Sequence, residues 1–247
     1  MMSKKLTDQN ILITGASTGM GRAIAIACAQ EGANVALIAR SVDKLETLAV
    51  ECQDAGVKAV VCAADLGDEA QVVAAFEQAR TELGVIDVLV NNGGTNVAQR
   101  SIEDTSMEQW RMLLEVNLTS AYVLTKLALP DMLAQQSGTV VNVSSKAAVF
   151  PSILAGVGYS TTKLGMDALT QVTNEEANPH NVRACIICPG VANTPILDRH
   201  PAPPPMEERL KMIQPEDIAD AVLAVITMPQ RTNIRRLEVF PTSPSVA

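Results

Sequence analysis

Residues 10–32 read NILITGASTGMGRAIAIACAQEG, an apolar run, a turn with three glycines, and a segment in which apolar residues have helical spacing. The run predicts a buried β-strand, and the segment after the turn predicts an α-helix. Two further strand and helix pairs follow, and then a fourth strand: ANVALIAR with SVDKLETLAVECQDAG, VKAVVCAAD with DEAQVVAAFEQARTELG, and IDVLVNN. Because these strands are continuously apolar rather than alternating, they indicate a parallel sheet with helices on both faces. The expected fold is a doubly wound α/β sheet.

The second half of the chain continues the same pattern. We predict a helix over about 107–135, the strand GTVVNVS, a helix over about 157–177, the strand NVRACII and a last strand RRLEVF. No change in composition marks a domain boundary, so residues 1–247 are expected to form one domain. The proline-rich stretch HPAPPPMEER interrupts the pattern and predicts a loop or the edge of a lid.

Composition argues against several classes of protein. The formal net charge is -8, from 19 basic and 27 acidic side chains, and such a surface repels nucleic acid phosphates. No run reaches the roughly 20 apolar residues of a membrane span, and the first residues lack the apolar run of a signal peptide. We therefore expect a cytoplasmic protein with a large core that binds neither nucleic acid nor membrane.

The five cysteines are scattered and odd in number, which favours reduced thiols over a disulfide framework. Cys185 and Cys188 have the spacing of a redox pair, but they lie in the apolar run VRACIICPG. Residues three apart on a strand face opposite sides of a sheet, so we interpret both as buried strand residues. With only His180 and His200 besides, the sequence contains no recognisable metal site.

The turn after the first strand has the properties of a phosphate-binding loop. Its glycines allow close backbone approach, and the following helix presents free N–H groups and a positive dipole end to a pyrophosphate. The spacing differs from the common GxGxxG, and a plain strand-to-helix turn is the alternative. The candidate cofactor residues of this turn are Gly15, Ser17, Thr18, Gly19, Met20 and Gly21.

The second strand ends in Ala39 and Arg40, where a fold that binds NAD usually has an acidic residue for the ribose hydroxyls. The guanidinium of Arg40 instead suits a 2′-phosphate, so NADP is expected rather than NAD. A solvated arginine at a strand end is the alternative. Asp65, at the end of the third strand, is a candidate to accept a hydrogen bond from the adenine amino group, or else a helix cap.

Tyr159 and Lys163 lie four residues apart at the start of a predicted helix and therefore share one face. A tyrosine with an ordinary pKa of about 10 is a weak acid–base catalyst at neutral pH, and an adjacent ammonium lowers that pKa. The pair thus predicts a catalytic tyrosine tuned by a lysine, although such pairs also occur in helices without function.

Together these motifs resemble the short-chain dehydrogenase/reductase family over nearly the whole chain. TGASTGMG is similar to the family's glycine motif, and NNGG at 91–94 is similar to its NNAG turn. The other matches follow in the family's order: Asp65 as the adenine contact; Asn91 and Gly93 in the turn; Asn117, Ser145, Tyr159 and Lys163 in the active site; Pro189, Gly190 and Thr194 beside the nicotinamide. The resemblance implies a Rossmann-type fold and an NAD(P)-dependent oxidoreductase that interconverts carbonyl and alcohol groups.

The resemblance also implies a role for each active-site residue. Tyr159 exchanges a proton with the substrate oxygen, and Ser145 hydrogen-bonds that oxygen as negative charge develops there. Lys163 tunes Tyr159 and holds the nicotinamide ribose, while Asn117 positions Lys163 through a water molecule. Thr194 hydrogen-bonds the carboxamide and fixes the ring face that delivers hydride.

Two positions depart from the family pattern. The family's catalytic serine is commonly thirteen residues before the tyrosine, where this chain has Lys146, whereas Ser145 is fourteen before. We interpret this as a one-residue loop insertion, because VVNVSS resembles the family strand and ends on Ser145. Ser144, on the opposite pleat, is expected to be structural. The second departure is Gly94, where the family has alanine.

Residues 191–214 correspond to the family's variable substrate loop, a kind of segment that carries specificity and often moves. Arg199 and Lys146 are candidates to hold a substrate carboxylate, with solvated charges as the simpler interpretation, and His200 is given no role. The stretch TNIRRLEVFPTSP resembles a branch that includes reductases of small hydroxy acids and aldehydes. A small polar carbonyl or alcohol substrate is therefore expected, with a bulkier ketone as the alternative.

The resemblance implies a homotetramer or homodimer assembled through the helix of Tyr159 and its neighbour. Apolar residues in GMDALTQVTNEEA and RMLLEVNLTSAYVLTKLALPDMLA agree with such an interface, or equally with buried core helices. Two other functions stay open: an NAD-linked dehydrogenase, and a dinucleotide-binding regulator without catalysis. The intact active-site residues argue against the regulator.

Overall fold

A computed structural model of the chain describes residues 4–199 and 203–242. These residues contain a seven-stranded sheet in the order β3-β2-β1-β4-β5-β6-β7, in which every neighbouring pair is parallel. Its strands are β1 Asn10–Thr14, β2 Asn34–Ala39, β3 Ala59–Ala63, β4 Val88–Asn91, β5 Gly138–Val143, β6 Val182–Pro189 and β7 Arg236–Val239. The predicted doubly wound parallel sheet is confirmed.

Helices cover both faces of this sheet, because each strand of a parallel sheet is buried on both sides. They are α1 Gly19–Gln30, α2 Val42–Gln53, α3 Glu69–Leu83, α4 Met107–Leu114, α5 Ser120–Ala134, α6 Val157–Ala177, α7 Met206–Arg209 and α8 Pro215–Ile226. One apolar core joins α1, α2 and α8 to one face, and a second joins α3, α5 and the end of α6 to the other. The chain forms a single Rossmann-type domain.

The two cysteines of β6 lie in different parts of the core. Cys185 belongs to the core under α1 and α8, whereas Cys188 packs against Met166 of α6, on the other face. Both thiols are free, and burial raises the pKa of Cys185 to about 12 and that of Cys188 to about 11. The interpretation of these residues as buried strand residues, not a redox pair, is confirmed.

The long helix predicted over about 107–135 is interrupted. Between α4 and α5 the segment Glu115–Thr119 forms a π-helix, whose wider turn bonds each N–H to the carbonyl five residues earlier. The stretch Met107–Ala134 contains an 18-residue window with a mean hydropathy of 1.2, so by length and composition it could cross a membrane, contrary to the expectation from simple apolar runs. Since α5 packs its Leu124 and Met132 into the core, a core helix explains this composition.

The carboxyl ends of the strands open onto a cleft of about 1230 Å³. The cleft lies where the strand order reverses between β1 and β4, the position at which ligands bind in open α/β sheets. One end is lined by the β1–α1 turn and by residues that follow β2 and β3. The other end is lined by residues that follow β5 and β6 and by the first turn of α6.

Candidate active site

The β1–α1 turn requires glycine at Gly15, and the first turn of α1 requires it at Gly21. Gly15 has a φ of +66°, and a Cβ there would lie 2.8 Å from the Cα of Gly93. A Cβ on Gly21 would lie 2.3 Å from the carbonyl oxygen of Gly15, so α1 can pack this closely against the turn only without a side chain. Gly21 is buried and does not line the cleft, whereas the predicted Gly15, Ser17, Thr18, Gly19 and Met20 all line it.

The N-terminus of α1 is suited to an anion. Thr18 is its N-cap residue, but the Thr18 side chain makes no capping hydrogen bond, and the first turn contains no acidic residue. The first backbone N–H groups of a helix have no partner within the helix, and its dipole is positive at this end. The turn therefore fits the pyrophosphate of a dinucleotide, as predicted from its sequence.

Arg40 and Asp65 line the cleft near this turn and face each other. Arg40 Nη1 lies 3.7 Å from Asp65 Oδ2, and the two side chains are 67% and 44% exposed. The helix cap after β3 is Asp68, whose carboxylate accepts the N–H of Gln71, so the alternative of Asp65 as a helix cap is wrong. Asp65 accepts only a local bond from the N–H of Gly67 and keeps its exposed carboxylate beside Arg40.

Tyr159 lies in the first turn of α6, where its partly accessible side chain lines the cleft beside Ser145. Desolvation raises the pKa of Tyr159, and a hydrogen bond with Ser145 and the positive charge of Arg100 oppose that rise. The phenol is therefore protonated at neutral pH. Ser145 also caps a short 3-10 helix, Lys146–Ala148, by accepting the N–H of Ala147 at 3.2 Å.

Lys163 reaches the same point from the next turn of α6. Its ammonium lies 5.6 Å from the centre of the Tyr159 ring and donates to the carbonyl of Val143 at 3.1 Å. The side chain is only 2% exposed, and burial lowers the pKa of Lys163 to about 8. The spacing of the pair predicts that Lys163 lowers the pKa of Tyr159, whereas in the structure the groups that lower it are Ser145 and Arg100.

The Ser144 hydroxyl donates to the backbone carbonyl of Lys163 at 3.0 Å. Ser144 is 4% exposed. This bond ties the end of β5 to α6, in agreement with the structural role expected for Ser144. Ser145, one residue further, presents its side chain to Tyr159, so the serine fourteen residues before the tyrosine is the one beside it.

Asn117 lies in the π-helix and is buried behind the cleft. Its Oδ1 accepts the N–H of Thr95 at 2.7 Å, and its Nδ2 donates to the carbonyl of Thr95 and to the Thr162 hydroxyl. These bonds hold the loop after β4 against α6. A Cβ on Gly94 would lie 3.4 Å from Asn117 Oδ1 and 3.5 Å from Lys163 Nζ, which are ordinary contacts.

Asn91 requires a correction. It is the last residue of β4 and is 2% exposed, and its Nδ2 donates to Asn142 Oδ1 at 2.9 Å inside the sheet. Because neighbouring strand residues face opposite ways, the next residue, Asn92, lines the cleft instead and donates to the carbonyl of Thr14. The predicted Gly93, Pro189, Gly190 and Thr194 also line the cleft.

Arg100 lines the cleft beside Tyr159, a position that the sequence does not predict. Arg100 follows β4 in an irregular segment, where neither periodicity nor a motif marks it. Lys146 also lines the cleft and is half-buried. His200 lies outside the described residues. Among the described residues, no group of three or more His, Cys, Asp or Glu side chains is arranged to hold a metal ion.

Comparison with known proteins identifies the family. The model of the short chain dehydrogenase family matches residues 9–203, and the chain belongs to this family of oxidoreductases. An uncharacterized oxidoreductase of Staphylococcus aureus is 32% identical over 236 residues, which cover 96% of this chain and 98% of that protein.

Solved structures agree with this assignment. A metagenomic short-chain oxidoreductase in complex with NADP is 32% identical, with a TM-score of 0.84 over 97% of this chain and 99% of that one. An alcohol dehydrogenase from Thermococcus sibiricus, complexed with 5-hydroxy-NADP, is 30% identical, with a TM-score of 0.85 over 95% and 97%. A 3-oxoacyl-[acyl-carrier protein] reductase from Brucella melitensis with bound NAD is 27% identical, with a TM-score of 0.84 over 96% and 92%. Structural neighbours thus bind either dinucleotide.

Proposed function

We propose that the protein is an NADP-dependent oxidoreductase that moves a hydride between the nicotinamide and a small carbonyl or alcohol substrate, with Tyr159 as the general acid and base. The observation that carries the proposal is the position of Tyr159, which lines the same cleft as Ser145, Lys163, the glycine turn and Arg40. One cleft therefore holds a place for the dinucleotide and a proton donor for the substrate.

The residues at the cofactor end fit a dinucleotide with a 2′-phosphate. The uncapped start of α1 would hold the pyrophosphate, and Asp65 and Gly93 would lie along the adenosine half. Arg40, a permanently charged planar group at the end of β2, would hold the 2′-phosphate. Met20, Pro189, Gly190 and Thr194 would border the nicotinamide half. The bound nicotinamide supplies or accepts the hydride.

The chain's own residues handle the proton and the substrate oxygen. In the direction of reduction, the Tyr159 hydroxyl donates its proton to the carbonyl oxygen, and the Ser145 hydroxyl hydrogen-bonds the same oxygen as it gains negative charge. The Arg100 charge and the Ser145 bond stabilise the phenolate that remains. Asn117 fixes the loop that borders Lys163, and Lys163 would hold the cofactor ribose near Tyr159.

An absorbance assay of the reduced nicotinamide tests the proposal. Purified protein would be mixed with NADPH, or separately NADH, across a panel of small aldehydes, ketones and oxo acids. We expect NADPH to be oxidised faster than NADH. Tyr159→Phe should abolish the oxidation of both cofactors. Preference for NADH would support the NAD-linked alternative. Tight NADPH binding without turnover of any substrate would support a dinucleotide-binding regulator.

We further propose that the enzyme is cytoplasmic and forms a homotetramer or homodimer through α5 and α6. The supporting observation is that apolar side chains on these helices are exposed in the single chain, with Tyr122 at 51%, Leu164 at 41% and Val172 at 60%. Apolar patches of this kind commonly mark interfaces. Light scattering that gives the mass of a monomer, 26.2 kDa, would contradict this assembly.

A further inference from the structure

We infer that the substrate carries a medium-length aliphatic chain, which binds between two apolar walls at the substrate end of the cleft. This inference rests on the proposed function and deepens it, because it names the chemical class of the substrate: aliphatic aldehydes and ketones, or the corresponding alcohols. It favours an apolar chain over the small polar substrate expected from the stretch TNIRRLEVFPTSP.

The first wall consists of Phe150 and Leu154, in the segment between β5 and α6. Both line the cleft, and they are 63% and 59% exposed. The backbone around them is held in place, because the N–H of Phe150 donates to the carbonyl of Lys146 at 2.7 Å and Asn96 Nδ2 donates to the carbonyl of Ala155 at 3.0 Å. Two large apolar side chains that are held along a cleft and exposed to water favour an apolar ligand that covers them.

The second wall lies in the loop between β6 and α8. Its apolar residues that line the cleft are Ile196, Leu197, Pro203, Pro204 and Pro205. Arg209 of α7 fixes this wall, because its Nε donates to the carbonyl of Pro204 at 3.1 Å and its Nη2 donates to Asp198 Oδ1 at 2.8 Å. The Arg209 side chain is only 15% exposed. The two parts of the wall are therefore tied to each other by one half-buried side chain.

Both walls belong to the end of the cleft where the chemistry is proposed. Phe150 follows Ser145 by five residues, and Leu154 precedes Tyr159 by five. All four line the cleft, as does the second wall. A carbonyl group that binds Tyr159 and Ser145 therefore has its substituent beside apolar side chains, which is the usual composition of a pocket for an organic ligand.

The positive charges at this end lie near the reacting oxygen. The charge of Arg100 acts on the Tyr159 phenol, the ammonium of Lys163 is 5.6 Å from the centre of that ring, and Lys146 directly follows the serine beside it. Glu208, which also lines the cleft, is exposed on α7. A neutral carbonyl compound thus meets positive charge where its oxygen gains negative charge, and its chain meets the two walls.

A homologous series of substrates tests this inference. The probes are butanal, hexanal and octanal, and 2-butanone, 2-hexanone and 2-octanone, which differ within each series only in the number of methylenes. We expect kcat/KM with NADPH to rise by about 2- to 4-fold for each methylene, mainly through KM, because each methylene leaves water. Values that stay constant or fall from butanal to octanal and from 2-butanone to 2-octanone would overturn the inference.

Substitutions in the first wall test where the chain binds. Phe150→Ala and Leu154→Ala should each lower kcat/KM for octanal by about 5- to 30-fold and for butanal by less than about 3-fold. Ile153→Ala is the matched control, because Ile153 is 70% exposed in the same segment but does not line the cleft. It should leave every substrate within about 2-fold. An equal loss for butanal and octanal in Phe150→Ala would mean that Phe150 only positions the start of α6.

Light scattering distinguishes a substrate chain from a second copy of this protein as the group that covers the first wall. We expect Phe150→Ala to keep the mass of the wild type, measured without substrate. A lower mass in Phe150→Ala, together with an unchanged dependence of kcat/KM on chain length, would assign Phe150 to a subunit interface and overturn the inference.

Binding of unreactive analogues separates this inference from the proposed function. Butanamide and hexanamide, whose amide carbonyl resists hydride transfer, would be titrated calorimetrically into the protein with NADP bound. We expect hexanamide to bind about 4- to 16-fold more tightly, and Phe150→Ala to reduce this ratio. If the ratio is found but no carbonyl is reduced, the proposed function fails and the apolar site remains. If carbonyls are reduced but neither kcat/KM nor amide binding depends on chain length, the apolar site fails and the proposed function remains.

Discussion

The two ends of the cleft hold their charged groups in opposite ways. At the cofactor end, Arg40 is 67% exposed and faces Asp65 across 3.7 Å, in reach of solvent. At the chemical end, Lys163 is 2% exposed, and its ammonium bonds a backbone carbonyl. Exposed charges are screened and contribute little each, whereas buried charges shift pKa values and are costly to disturb. Substitutions at the cofactor end should therefore change cofactor preference moderately, whereas substitutions at the chemical end should abolish most of the activity.

The largest effect is expected at Tyr159. Tyr159→Phe removes the hydroxyl that exchanges the proton and keeps the ring, so kcat should fall by about 100- to 10 000-fold. The Kd for NADPH should change little, because most of the residues proposed to hold the cofactor lie outside α6. Steady-state kinetics and fluorescence titration of NADPH measure the two quantities. A parallel loss of NADPH binding would mean that Tyr159 is mainly structural.

Burial of Lys163 predicts a pH dependence of stability. The pKa of Lys163 falls from 10.5 to about 8 on folding, so between these values the unfolded chain binds more protons. The free energy of unfolding should therefore rise with pH, by about 2 kcal/mol between about pH 8 and 9.5, relative to Lys163→Met. Urea unfolding of both proteins without cofactor gives this difference.

The comparison with Lys163→Met is needed because other groups titrate in the same range. The buried cysteines have pKa values raised to about 11 or 12, and they destabilise the fold at high pH in both proteins. The contributions of Cys28, Cys52, Cys62 and Cys185 cancel in the difference, whereas Cys188 interacts electrostatically with Lys163 and leaves a residual contribution above about pH 9. A difference that stays constant with pH would contradict a buried lysine with a lowered pKa.

At the cofactor end, Arg40→Gln should weaken the binding of NADPH by about 10-fold and leave the binding of NADH nearly unchanged. The reason is that the proposed charge-assisted bond to the 2′-phosphate is lost. Arg40→Asp should shift preference further toward NADH. The ratio of kcat/KM for the two cofactors is the measurement. Arg80→Gln is the matched control, because Arg80 pairs with Asp131 on the surface formed by α3 and α5. An unchanged ratio in Arg40→Asp would refute the assignment of NADP.

The smallest effect is expected at Gly94, which lies between Asn117 and Lys163. The Cβ of Gly94→Ala would make ordinary contacts of 3.4 Å and 3.5 Å with these two residues. We therefore expect kcat to change by less than about 3-fold and the melting temperature by less than about 2 °C. A large loss of activity would mean that the cofactor needs the space above Gly94.

Most of the sheet can be predicted from the sequence, because continuous apolar strands and turn glycines are local signals. The α6 prediction over 157–177 agrees with Val157–Ala177. The π-helix at Glu115–Thr119 was not predicted, since one wide turn leaves no distinct periodicity in a helix that is apolar on several sides.

The site was predictable where motifs mark residues and unpredictable where only folding brings them together. The glycine turn, Ser145, Tyr159 and Lys163 belong to motifs, and the structure places them along one cleft. The motif alone predicts a cofactor contact at Asn91, because a motif does not show which way a strand residue faces. Arg100 was missed because it reaches Tyr159 through the fold of two loops, at a distance of 59 residues in sequence.

The most direct test of the central claim is the transfer of hydride itself. In separate samples, the protein would be incubated with NADPH deuterated on one or on the other face of C4 of the nicotinamide, together with the best ketone of the panel. The product would be analysed by mass spectrometry. We expect one deuterium on the new alcohol carbon when the label is on one particular face of the nicotinamide, and none with Tyr159→Phe. Tight binding of NADPH with no deuterium in any product would contradict that claim.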